Sequence, residues 1–244
     1  MFFQDRVDAG RQLAERLSRY ANAPDVTVLA LPRGGVPVGY EVATRLRVPL
    51  DVFLVRKLGV PGHPELAMGA VATGGVEVLS NTLIEDLGIP AAVVQQVAVR
   101  ERAELDRHDR LFRADPQPPV VRDRTVILVD DGLATGASME AAIISLRRLS
   151  PAGIVVAVPV GAPQTCEKIQ QLADHFVCLA MPAQFNAVGQ WYENFSQTTD
   201  VDVQRLLAAA RGITAGPPAG ASVPEPRAAD KLEMVSSGDL DEQC

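Results

Sequence analysis

The chain has 244 residues, 47% of them hydrophobic, and a net charge of −7. That is enough apolar material for one good core, or one core and a small second lobe. The acidic balance argues against a general nucleic-acid surface, and no apolar run approaches the ~20 residues of a membrane-spanning helix. The start, Met1-Phe2-Phe3-Gln4-Asp5-Arg6, is charged early and lacks an apolar signal region, so the cytoplasm is the expected compartment. Cys166, Cys178 and Cys244 are an odd number without paired metal spacing, so disulfides are not expected.

Asp5 to Tyr20 carries apolar or small residues at Val7, Ala9, Leu13, Ala14 and Leu17 with charges between them, which predicts a surface helix. Val26–Leu31 reads as a first strand, Val36–Leu46 as a helix and Asp51–Val55 as a second strand. Gly59 to Gly75 holds five glycines with Pro61 and Pro64, the composition of a loop able to close over substrate. Within and beyond it, Leu66–Val71 and Val76–Leu79, joined by Thr73-Gly74-Gly75, read as a hairpin. A long helix runs from Pro90 to about Phe112, its second half a solvated face of mixed charge that includes His108. Pro116-Gln117-Pro118-Pro119 reads as a linker. Thr125–Val129, Ile154–Val158 and Phe176–Ala180 supply three more strands, with helices at Met139–Arg148 and Pro163–Leu172 between them and a last one at Asp200–Ala210. Cys178 falls in the fifth strand and reads as core. Residues 215–244 are rich in Pro, Gly and Ala and read as a disordered tail.

Strands alternating with helices predict an α/β fold, a five-stranded parallel sheet flanked by helices, with the hairpin as an insertion. In the strand order 2-1-3-4-5 the ligand crevice lies outside the ends of the first and third strands. The most informative stretch sits there. Val126-Ile127-Leu128-Val129 is a buried strand, Asp130 and Asp131 end it, and Gly132 to Ser138 form a loop before a helix. Carboxylates at a strand end can accept hydrogen bonds from ribose hydroxyls, and amides at a helix start can hold a phosphate. The facing loop, Leu31-Pro32-Arg33-Gly34-Gly35, can expose amides and offers the planar fork of Arg33 to phosphate oxygens. Lys57, one of only three lysines against twenty arginines, follows Arg56 at the same edge.

Asp130-Asp131 followed by Thr135-Gly136-Ala137-Ser138 resembles the 5-phosphoribosyl-1-pyrophosphate (PRPP) signature of the type I phosphoribosyltransferases, with Ala for Gly and Ser for Thr as departures. Pro32-Arg33-Gly34-Gly35 resembles that family's pyrophosphate loop, and Arg56-Lys57 the start of its flexible catalytic loop. The block from Leu54 to Ala72 is similar to bacterial members without an assigned substrate. The resemblance implies a phosphoribosyltransferase domain over residues 1–214. Its core is about 26–180, and its hood is built from 1–20 and 181–211. It implies a cytoplasmic homodimer that transfers 5-phosphoribosyl from PRPP to a nitrogenous acceptor and releases pyrophosphate. By the same resemblance Asp130 and Asp131 take the ribose, and Ala134, Thr135, Gly136, Ala137 and Ser138 take the 5-phosphate. Arg33, Gly34, Gly35, Arg56 and Lys57 serve the pyrophosphate, with Lys57, Arg56 and Asp131 as the catalytic set. Mg²⁺ would enter with PRPP, with Asp130 and Asp131 reaching it through water. Phe185, Trp191, Tyr192 and Phe195 can stack on an acceptor base or pack the terminal helix. His63, His108 and His175 form no ligand spacing. A binding protein on the same fold, without transfer, is the rival. There is no Gly-x-x-x-x-Gly-Lys-Ser/Thr loop and no Gly-x-Gly-x-x-Gly after the first strand, which disfavours a P-loop NTPase and a dinucleotide dehydrogenase.

Overall fold

Apolar residues in the central strands alternate between two faces, and each face finds its own helices. The computed structural model describes residues 2–113, 118–212 and 233–234. The elements before the first long helix are α1 (Arg6–Arg16), a 3₁₀ turn (Ser18–Tyr20), β1 (Val26–Ala30), α2 (Gly35–Leu46), β2 (Leu50–Val52), β3 (Val55–Val60), β4 (His63–Ala72), β5 (Val76–Leu79) and α3 (Asn81–Asp86). There follow α4 (Ala91–Phe112), β6 (Thr125–Val129), α5 (Ala137–Arg148), β7 (Gly153–Val160), α6 (Pro163–Leu172), β8 (His175–Ala180), a 3₁₀ turn (Val188–Trp191), α7 (Asp200–Ala210) and the two-residue β9 (Glu233–Met234).

The main sheet has the order β2-β1-β6-β7-β8, with β9 added beyond β8, and every pair is parallel. Read as five strands this is 2-1-3-4-5, as expected. Val28, Ile127, Val155 and Val177 point to one face and meet Leu13 of α1, Leu17 just past its end, and Val38 and Val42 of α2. Leu29, Leu128 and Val156 point to the other and meet Met139, Ile143 and Ile169 of α5 and α6. The body of α1 is thus a core layer, and its first turn alone reaches the strand ends. Asp5 caps that turn by accepting from the Val7 and Asp8 amides. Thr199 and Asp202 cap α7 reciprocally.

The structure departs from the expected elements at three places. The second strand stops at Val52, and Val55 opens a separate three-stranded antiparallel sheet, β3-β4-β5. The span read as a closing loop, Gly59 to Gly75, is therefore mostly paired strand. Its glycines are turns and close approaches. Gly62 turns the β3–β4 hairpin with φ +83°. A side chain on Gly69 would meet the Val78 carbonyl at 2.3 Å. Leu58, Val60 and Met68 are buried against Val94, Val97 and Leu105 of α4. Small alternating apolar residues made the strand, and Gly and Pro punctuation masked it. The helix α3 was also missed. Residues 116–117 of the expected linker, and the tail apart from Glu233–Met234, lie outside the described residues.

Candidate active site

β1 and β6 pair in register from Val26↔Thr125 to Ala30↔Val129, so the loops that leave them emerge side by side. Leu31 continues the ladder, its amide donating to the Val129 carbonyl at 2.9 Å. The peptide between Pro32 and Arg33 is cis. The two glycines after it let the loops touch. A Cβ on Gly34 would sit 2.0 Å from Asp131 Oδ2, and one on Gly35 2.8 Å from the Val129 carbonyl oxygen. Backbone and carboxylate occupy the space that any other side chain would need.

The two acids are each held by one oxygen. Asp130 Oδ1 accepts the Asp131 amide at 2.9 Å. Asp131 Oδ2 accepts from Arg6 Nε at 2.8 Å. Among the described residues the second oxygen of each carboxylate has no protein partner. Burial pushes both carboxyls above the usual carboxylate range. Asp130 is raised well above it, because the Asp131 charge adds to its burial. The Arg6 guanidinium opposes the burial of Asp131. Tyr192 donates its hydroxyl to the Asp131 carbonyl at 2.6 Å, and burial keeps that phenol protonated.

Past the acids, Gly132 lies against Val188 and leads to Ala134 and Thr135, both exposed. Thr165 of α6 donates its hydroxyl to the Ala134 carbonyl at 2.7 Å, bracing the loop from behind. Gly136 caps α5 with φ +70°, and a Cβ there would meet Thr165 Cγ2 at 2.5 Å. Both conformation and space require glycine. Ala137 and Ser138 open α5, so the helix's positive end faces outward beside the acids.

A cavity of about 340 Å³ joins the expected groups: Arg33, Arg56, Asp130 and Ser138 all line it. An adjoining cavity of about 570 Å³ shares Arg56 and Ser138 and adds Lys57 and Arg100. Arg33 contacts Asp200 of α7 at 3.6 Å. Arg56 Nε lies 2.7 Å from Glu101 Oε2 of α4. Burial would raise Glu101, but the Arg56 and Arg100 guanidiniums outweigh it and hold that carboxyl below its usual range. The sequence-predicted cations and Asp130 therefore share one edge. Asp131 lines neither of these two cavities, and its Oδ2 is held by Arg6.

Several contributors were missed. Leu105, His108 and Phe112 of α4 line the first cavity, so the face read as solvated charge is partly a cavity wall. His108 Nδ1 lies 3.0 Å from the Glu104 carbonyl, a spacing within one helix that gives no signal of the cavity. Arg6 lies 125 residues from its partner and is one of twenty arginines, so nothing local marks it. The aromatic group mostly packs on itself. Phe2 and Phe185 lie 5.3 and 6.4 Å from Trp191, and Phe3 and Phe195 lie 5.3 and 5.1 Å from Tyr192. Among the described residues no group of three or more His, Cys, Asp or Glu forms a metal cluster, and no helix is long and apolar enough to cross a membrane.

Known proteins share this architecture. The phosphoribosyl transferase domain model matches residues 3–192. Proteins from two strains of Mycobacterium tuberculosis, provisionally assigned as phosphoribosyl transferases, are 46% identical over 205 residues, 84% of this chain. The chain spans only 46% of their length. A uracil phosphoribosyltransferase from Lactobacillus gasseri is 34% identical over 84 residues, 34% of this chain and 39% of that protein. A crystal structure from Thermus thermophilus superposes with a TM-score of 0.76 at 43% identity, covering 86% of this chain and 99% of that one. The paired acids, the glycine loops and the matched model together place this chain in the phosphoribosyl transferase family.

Proposed function

We propose that the protein transfers 5-phosphoribosyl from PRPP to a nitrogen acceptor and releases pyrophosphate. The observation that carries this reading is the convergence of two carboxylates, each with a free oxygen, with a glycine-opened loop and a helix start at adjacent strand ends. In it Asp130 and Asp131 accept hydrogen bonds from the two ribose hydroxyls. The amides of 134–138 hold the 5-phosphate, which the positive end of α5 favours. Arg33, Arg56 and Lys57 face the diphosphate, and Gly34 and Gly35 keep its loop close. Mg²⁺ fits as the companion of the diphosphate, since the free oxygens of Asp130 and Asp131 are hard donors that can reach a hydrated ion through water. That ion would neutralise charge on the leaving group.

The bond from C1 to the pyrophosphate oxygen breaks as an acceptor nitrogen bonds to C1, and negative charge grows on the leaving group. A cation beside it then counts for more in the transition state than in the ground state. Leu105, His108 and Phe112 offer an apolar wall with one imidazole, a setting for a flat heterocyclic acceptor. The whole unit is proposed as 1–214, acting as a homodimer, with the hood drawn from 1–20 and 181–211 where these reach the strand ends, the body of α1 serving the core.

The experiment is pyrophosphate release from PRPP with Mg²⁺ across a panel of bases and small amines. Release is expected with at least one acceptor, and Lys57→Ala is expected to lower kcat by about 10²–10³ while moving KM for PRPP far less. Binding of PRPP without release by any acceptor favours the rival, a PRPP-sensing protein, in which Lys57→Ala changes affinity alone.

A further inference from the structure

We propose that Arg6 is a positioning residue for the ribose, acting through Asp131; the inference rests on the transferase reading above. Arg6 stands at the first residue of α1, and its guanidinium is fixed from several sides. Nε meets Asp131 Oδ2 at 2.8 Å, and Nη1 donates to the Ser196 carbonyl at 2.7 Å. Its plane lies over the Phe195 ring, with Cζ 3.8 Å from the centroid, and the Phe195 ring in turn packs on Tyr192. Arg6 is only 11% and Asp131 only 14% exposed, so this is no surface ion pair.

The surrounding chain is arranged to keep it so. The amide of Phe3 donates to the Trp191 carbonyl, and those of Glu193 and Asn194 donate to the Phe3 and Gln4 carbonyls. This short ladder carries the start of α1 across to the segment that holds Tyr192 and Phe195. Tyr192 closes the ring by bonding the Asp131 backbone carbonyl. Asp131 is thus gripped at its main chain by Tyr192 and at one carboxylate oxygen by Arg6. Gly34 lies against the same oxygen. The other oxygen is left for a ligand hydroxyl, in the same pattern as Asp130. A planar fork suits this task, since it can hold a carboxylate and a carbonyl at once.

The test is calorimetric titration of the full chain with three probes in Mg²⁺: PRPP, ribose 5-phosphate and inorganic pyrophosphate. Arg6→Ala is expected to weaken PRPP and ribose 5-phosphate by roughly 10- to 100-fold, the worth of a hydrogen bond to a charged group. Pyrophosphate, held by Arg33, Arg56 and Lys57, should bind as in the wild type. Arg6→Lys should recover part of the affinity. Phe195→Leu, which removes the ring beneath the guanidinium and beside Tyr192 but keeps the Arg6–Asp131 pair, should give a smaller loss with the same selectivity for ribose ligands. Equal or tighter PRPP binding by Arg6→Ala overturns the proposal, as does a loss that falls equally on pyrophosphate in Arg6→Ala and Phe195→Leu. Failure of the wild type to bind PRPP overturns the transferase reading itself.

Discussion

Asp130 is useful to a ligand for the reason that makes it costly to the fold. Its carboxyl is buried beside another acid, and both effects favour the protonated form. In the unfolded chain the group titrates in the ordinary carboxylate range, and in the fold well above it. Between those values the folded chain keeps a proton that the unfolded chain has released, so stability falls as pH rises through that window. Asp130→Asn removes the penalty. The variant should melt higher than the wild type at neutral pH, and the difference should close as pH drops below about 4, where both forms are neutral. Scanning calorimetry over a pH series checks this, and equal melting temperatures at neutral pH would contradict it. Such opposition of stability and site chemistry is common where acids are buried for use. The acid pair was legible because a strand, two carboxylates, a short glycine-containing loop and a helix start follow each other within fourteen residues. Arg6 and His108 were not, because their roles come from tertiary neighbours rather than spacing.

At the scale of elements, α4 must be fixed for His108 and Phe112 to line the cavity. Arg113, at its end, does this. Its side chain is 5% exposed, with Nε 2.9 Å from Asp51 Oδ1, Nη1 on Asp109 Oδ1 and Nη2 donating to the Val52 carbonyl at 2.5 Å. One guanidinium therefore joins α4 to β2. Burial raises the Asp109 carboxyl, and Arg113 resists that rise. Arg113→Ala leaves acceptors half-buried without their donor and should cost about 3–5 kcal/mol in denaturant unfolding, as loss of a buried ion-pair partner typically does. A cost below about 1 kcal/mol would put the cluster in the class of surface pairs. Arg113→Lys should fall between, since it keeps charge but not the fork. The βαβ units were readable because apolar runs near five residues alternate with amphipathic helices. The β3–β4–β5 sheet was only half readable. Its hairpin turn at Thr73-Gly74-Gly75 carries a strong local signal, whereas Gly59, Gly62 and Gly69 serve a register shift, a turn and a close approach that resemble loop composition.

Over the whole molecule, the strand order places two loops from distant parts of the sequence against each other, and the family match follows the same segment, residues 3–192. Fold and family were legible because the site lies at a topological switch point, where strand-end loops and chemistry coincide. The acceptor was not, because the wall proposed for it comes from α4, whose cavity-facing residues are scattered among solvated charges. The central claim is that the paired acids and the 134–138 loop bind the ribose 5-phosphate of PRPP. Titration calorimetry of PRPP with Mg²⁺ against wild type, Asp131→Asn and Thr135→Val tests it most directly. Binding by the wild type is expected, with each variant weaker by about 1.5–3 kcal/mol, the worth of a hydrogen bond to a charged group. No binding by the wild type at millimolar PRPP, or equal affinity in all three proteins, would contradict it.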